Sequence, residues 1–168
     1  SRRQARALEV FADLVAEVRD RVAADGGSEV RADAVASFLG LCVGKMAQAN
    51  SCLTRWFLDG RNGSGGVLAA FGTQTVSMSW DYVETNPFGG SVGDWMQVVT
   101  TSLRSLDHVD PSGPPAVVRQ LDARNAAQAF DSSALVVTDP PYFAAVGYAD
   151  LSDYFYIWVR RALRNVDP

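Results

Sequence analysis

The sequence predicts an α/β protein in which helices pack on a partial parallel sheet, and three observations carry that expectation. Between Gln4 and Ala49, apolar residues recur at spacings of three and four, the pattern of helices with one buried face. Ala134-Leu135-Val136-Val137 is a continuous apolar run, as in a parallel strand covered on both sides. Thr138-Asp139-Pro140-Pro141-Tyr142 follows it directly, and open α/β sheets carry their ligand loops at the carboxyl ends of strands.

The first helix is expected from Gln4 to about Ala24, with Leu8, Phe11, Val15, Val18 and Val22 on one face and Gly26-Gly27 ending it. A second is expected from about Arg31 to Ala49. Its Val35, Phe38, Leu39, Cys42, Val43 and Met46 make a broad apolar face, and Gly40 and Gly44 permit close packing. Asp59 to Gly66 reads as a polar loop. It has no Lys followed by Ser or Thr at phosphate-loop spacing, which excludes nucleotide triphosphate binding by that device. A polar and aromatic stretch, Phe71 to Phe88, leads to a helix from Gly93 to Leu106, with Ser91 and Asp94 spaced as a capping box. Pro111-Ser112-Gly113-Pro114-Pro115 breaks the pattern. Val117-Val118 before Asp122 then reads as a short strand, ahead of the apolar run at 134–137. Beyond the loop, Ser152 is placed to cap a helix whose Phe155, Trp158, Val159 and Leu163 face inward.

A chain of 168 residues can enclose one hydrophobic core. No apolar run approaches the ~20 residues that span a bilayer, and no apolar segment follows Ser1-Arg2-Arg3-Gln4 as in a secretory signal. A membrane role is not expected. The missing initiator Met predicts that the sequence lies inside a longer polypeptide. Cys42, Cys52 and His108 are the only residues of their types, with no ligand-like spacing, so no metal is expected. Two cysteines make a poor disulfide framework and fit a reducing cytoplasm. Net charge is −4, whereas a protein that wraps DNA presents a basic footprint. Any grip on nucleic acid is therefore expected to be local, or to lie in other parts of the polypeptide.

Asp139-Pro140-Pro141-Tyr142 is short but uncommon: with proline near 5% of residues, a chance match in this length is on the order of one in a thousand. At the end of an apolar run it resembles the loop of the amino-methyltransferases that modify adenine N6 in DNA. Three further segments resemble one subgroup, the large adenine-specific methylases with a DUF1156 N-terminal domain. They are Asn50 to Trp56, Trp80 to Phe88 and Tyr148 to Arg161, and the similarity covers most of residues 4–165. The family commonly follows the catalytic tyrosine with Tyr-Asp-Asn, whereas this chain has Phe143-Ala144-Ala145, without those polar groups.

The resemblance implies a partial S-adenosylmethionine-dependent methyltransferase fold, Rossmann-like, with an added helical region. It divides the chain into a mainly helical part, 1–110, and a partial methyltransferase domain, 111–168. It implies methyl transfer from S-adenosylmethionine to the N6 amine of a flipped adenine in double-stranded DNA, in restriction-modification or phage defence. An exocyclic amine is a poor nucleophile because its lone pair is delocalised into the ring. Ionised Asp139 can accept one of its N–H groups and, in the family, the first proline's carbonyl (here Pro140) takes the other. Pro140 and Pro141 restrict the loop so that these acceptors are set in advance. Tyr142 offers a face for the extruded base. The alternative is a rigid strand-capping turn with a packed tyrosine.

Asp122 is the candidate for the donor's adenine amine, against an ordinary turn aspartate. Asn86 to Gly93 superficially resembles a donor glycine loop, with a helix-capping turn as the favoured alternative. In the family the donor motif lies upstream, so the remainder of the polypeptide is an expected partner. Tyr148 and Tyr154 are candidates for a base channel, Asn50 and Arg55 for residues close to the loop, and Arg160, Arg161 and Arg164 for a phosphate-binding edge. Packing, capping and solvated helix ends are the competing readings. Two other functions stay open: a non-catalytic DNA-binding or assembly module, and an RNA or protein amino-methyltransferase.

Overall fold

The computed structural model describes residues 1–58, 65–72, 75–76, 78–128, 135–142 and 146–166. In chain order these form α1 (Arg2–Ala24), α2 (Glu29–Ala49), β1 (Arg55–Leu58), β2 (Gly65–Leu68) and α3 (Trp95–Leu103). Two 3-10 turns, Arg104–His108 and Ala123–Gln128, and α4 (Tyr148–Ala162) follow.

α1 and α2 form an antiparallel helical hairpin. Ser1 caps α1 by accepting from the Gln4 amide, and Ser28 caps α2 by accepting from the Arg31 amide. Between them Gly26 takes φ +88°, a left-handed conformation that costs glycine nothing. Leu8, Phe11 and Val15 are buried as their spacing predicts, whereas Val18 and Val22 are only half-buried. The closest approach depends on alanines: Ala12, Ala32 and Ala36 are sealed from solvent. Arg19 ties the hairpin on its polar side, its Nε 2.7 Å from Asp33 Oδ1 and a terminal nitrogen 2.7 Å from Glu29 Oε2.

α4 lies across α1 and α2 and completes one core with them. Ala162 is buried there, with Tyr154, Trp158, Leu163 and Val166 packed around it. Gly40 and Gly44 are the seat of α4: a Cβ on Gly40 would stand 2.9 Å from Leu163 Cδ2, and one on Gly44 would stand 3.9 Å from Phe155 and Val159. The close-packing expectation for this glycine pair holds. Asp13 of α1 accepts from Arg161 at 3.0 and 2.8 Å and from Arg164 at 2.8 Å. The Tyr154 hydroxyl donates to the Ala47 carbonyl at 2.9 Å, satisfying a carbonyl in the buried last turn of α2.

Several expectations are corrected. α3 begins at Trp95, and its cap is Asp94, whose carboxylate accepts from the Gln97 amide; Ser91 contributes only its carbonyl, to the Asp94 amide. α4 begins at Tyr148, four residues ahead of the expected cap, and Ser152 donates back to the Ala149 carbonyl within the helix. β1 and β2 make an antiparallel hairpin, with Arg55 opposite Leu68 and Leu58 opposite Gly65, where a loop alone was expected. Residues 59–64 of that loop lie outside the described residues, as do Ala134, Phe143-Ala144-Ala145 and Ser77.

The parallel strands are absent among the described residues. Val117, Val118 and 135–137 carry no strand pairing, and Leu135, Val136 and Val137 are 92%, 65% and 86% exposed. A parallel strand exists only through lateral hydrogen bonds and covering helices. No described segment supplies either to 135–137. The segment α4, expected in the second domain, shares its core with α1 and α2.

Candidate functional site

The Asp139–Tyr142 loop is held by its downstream helix. Tyr142 follows the run at 135–137, and after five further residues the chain enters α4, whose far end is fixed in the core. Tyr148, in the first turn of α4, reaches back with its hydroxyl 3.4 Å from the Tyr142 amide nitrogen. This single contact joins loop and helix among the described residues. Asp139, Pro140, Pro141 and Tyr142 are all exposed, and Tyr142 is 71% exposed. Among the described residues nothing hydrogen-bonds the Asp139 carboxylate, so its oxygens are open to an incoming donor. Both peptide bonds before the prolines are trans.

Asp122 sits elsewhere, in a turn that it organises itself. Its carboxylate accepts from the Arg124 amide at 2.9 Å and from the Arg124 guanidinium at 2.6 Å, and the guanidinium bond holds its pKa below the usual carboxylate range. That geometry is the turn aspartate. No described contact brings it to Asp139.

The glycine turn at 86–93 is likewise occupied with capping. Phe88 and Gly89 amides bond back to Asn86, and Gly90 donates to Asp94 Oδ2 at 3.0 Å. Gly90 and Gly93 take φ of +69° and +83°, and a side chain on Gly93 would collide with Thr85. The bonds from Gly90, then Gln97 and Met96, depress the Asp94 pKa. The carboxylate thus occupies the N-terminus of α3, where a ligand anion would otherwise bind. With its amides and Asp94 engaged in this way, the turn at 86–93 does not fit a donor-binding loop for S-adenosylmethionine.

The arginine edge is also largely engaged. Arg161 and Arg164 are held by Asp13, and Arg160 lies over the Tyr156 ring, 5.6 Å from its centroid. The Arg161 bond, partly opposed by burial, keeps Asp13 below its ordinary pKa. Tyr154 packs edge-on against Phe71 at 5.1 Å, and burial raises its pKa. It is a packing residue. Burial raises the Cys42 thiol as well, away from the thiolate form that reacts. Among the described residues no group of three or more His, Cys, Asp or Glu converges as a metal site, and no helix is long and apolar enough to cross a membrane.

Two cavities accompany these elements. The larger, about 510 Å³, lies between the end of α2, the hairpin and residues 78–79, and Arg55 is on its wall. The smaller, about 260 Å³, lies beside Asn50 and Thr85. Asn50 is 2% exposed, and its Oδ1, like Thr85 Oγ1, has no hydrogen-bond partner. Both atoms are themselves sealed from solvent, so this is a polar defect in the packing around Val83. Sequence patterning missed both cavities, although Asp59-Gly60 and Asn62-Gly63 between apolar segments were a hairpin signal.

No family model matches the chain, and neither a curated protein nor a solved structure matches it.

Proposed function

We propose that the Asp139–Tyr142 loop receives the exocyclic amine of an adenine in DNA, in an S-adenosylmethionine-dependent adenine-N6 methyltransferase of the cytoplasm. The observation that carries this reading is the Asp139 carboxylate, exposed and free of any described partner, three residues before the exposed ring of Tyr142. A strand-capping aspartate would be bonded to nearby amides, as Asp122 and Asp94 are. Asp139 would accept one N–H of the amine, the Pro140 carbonyl the other, and Tyr142 would stack on the flipped base. The donor pocket is assigned to the rest of the polypeptide, since the turn at 86–93 and Asp122 are committed to their own neighbours.

The test is methyl transfer to adenine-containing duplexes by the full-length polypeptide. Asp139→Ala removes one preorganised acceptor and lowers the rate by about 10²–10³. Tyr142→Ala weakens base stacking by ~1–3 kcal/mol, and Tyr142→Phe keeps the ring and most of the activity. A folded Asp139→Ala protein with undiminished turnover refutes the assignment.

A second reading, a non-catalytic assembly module, draws on the exposed Leu135, Val136 and Val137. A contiguous apolar run of this kind leaves water only against another surface. An inactive full-length protein that assembles through this run would favour it.

A further inference from the structure

We propose that the cavity beside Arg55 is a nucleotide-binding site, separate from the Asp139–Tyr142 loop, which takes a phosphate at Arg55 and a base against Phe71 and Met78. The nucleotide identity rests on the nucleic-acid reading above; the site rests on the cavity itself. Its volume of about 510 Å³ falls within the ~300–1,000 Å³ of small-molecule pockets.

Its walls are tied together by the backbone. The Ala70 amide donates to the Gln48 carbonyl and the Ser79 amide to the Cys52 carbonyl, both at 2.9 Å, so segments from three parts of the chain are held together along its border. Arg55 is, among the described residues, the one ionisable residue on the lining, and no described carboxylate shares it. Among the described residues Arg55 makes no ion pair, whereas Arg19, Arg161 and Arg164 each have a carboxylate partner. The end of α2 would oppose an anion through its carbonyls. Here Ala47 and Gln48 carbonyls are satisfied by Tyr154 and Ala70, which blunts that opposition.

Leu53, Leu68, Phe71 and Met78 give the lining an apolar side of the kind a base needs. Phe71 is the telling member. It takes φ +67°, a conformation that a bulky aromatic residue adopts only when its surroundings enforce it. The rings of Tyr154 and Phe155, at 5.1 and 5.3 Å, hold it from the α4 side. Strained residues of this kind cluster at ligand-binding and active sites.

The test is titration of this chain with deoxyadenosine monophosphate, followed by NMR shifts of residues 53–55 and 68–72. Arg55→Gln is expected to weaken binding about tenfold or more, the usual effect of losing a charge-assisted bond. Deoxyadenosine is expected to bind more weakly, and without dependence on Arg55. Ala69→Trp, at an exposed position on the lining, is expected to block binding at an unchanged melting temperature. Asp139→Ala is expected to leave this binding intact while lowering methyl transfer by the full-length polypeptide about 10²–10³-fold, so the two proposals fail separately. Equal affinity in a folded Arg55→Gln protein overturns the site. Inorganic phosphate binding as tightly as the nucleotide removes the base from it. Displacement by S-adenosylhomocysteine overturns the assignment, because it makes the cavity a donor pocket that serves the Asp139–Tyr142 loop.

Discussion

Placing an alanine at Gly44 and at Gly40 should change stability in opposite directions, although both lie on the same face of one helix. An exposed Gly→Ala change inside a helix gains about 1 kcal/mol, because alanine loses less backbone freedom on folding. At Gly44 the new methyl meets Phe155 and Val159 at 3.9 Å, an ordinary contact, so the gain is kept. At Gly40 it would lie 2.9 Å from Leu163 Cδ2 and 3.2 Å from Cγ, and α4 or the leucine must shift. Overpacking of that kind costs ~1–3 kcal/mol. The net change at Gly40 runs from about 0 to 2 kcal/mol destabilising. Thermal melts resolve the difference, since 1 kcal/mol moves the midpoint by about 2–4 °C in a chain of this size. Repeating Gly40→Ala in a Leu163→Ala background should restore the gain, because the colliding atoms are gone. If Gly40→Ala raises the midpoint as much as Gly44→Ala in the parent protein, α4 is not seated on this glycine pair.

Two other outcomes follow from the geometry. Asp13 has a folded pKa below its unfolded value, so its share of stability is complete above the unfolded pKa and is lost as pH falls through the folded one. Melts in acid should show that loss setting in below about pH 4, and Asp13→Asn should flatten it; an unchanged acid limb in the variant refutes the role. This chain alone should give no calorimetric signal with S-adenosylmethionine at micromolar concentration, because the glycine turn at 86–93 caps α3; micromolar binding would reassign that turn to the donor.

The helices were legible because their evidence is local. Leu8, Phe11 and Val15, or Cys42, Val43 and Met46, repeat at the helical period, and the glycine and serine signals between α1 and α2 act within a few residues. The start of α4 was less legible. Ser152 is a good cap by composition, but Phe71 and Ala47 fix Tyr154, and that long-range anchoring lets the helix extend back to Tyr148. The hairpin had a turn signal in Asp59-Gly60 and Asn62-Gly63, but four-residue, largely exposed strands have no alternation strong enough to read beside it. Leu135-Val136-Val137 shows the reverse limit: an apolar run reports a tendency to be covered, and no described segment covers this one. At the site, the sequence named Asp139 and Tyr142 through their motif. It could not show that Asp94 and Arg124 already engage the residues considered for the donor, since those bonds depend on turn geometry.

The ion pairs from Asp13 to Arg161 and Arg164 join residues separated by 148 and 151 positions in the chain. Contacts that distant bring no reward until a very long loop has closed, while α1 and α2 meet across a four-residue turn. The two-helix platform can therefore assemble early, with its glycine groove open to water, and α4 docks into it as a late event. The loop bearing Asp139 and Tyr142 gains its anchor only then, after most of the chain has found its place.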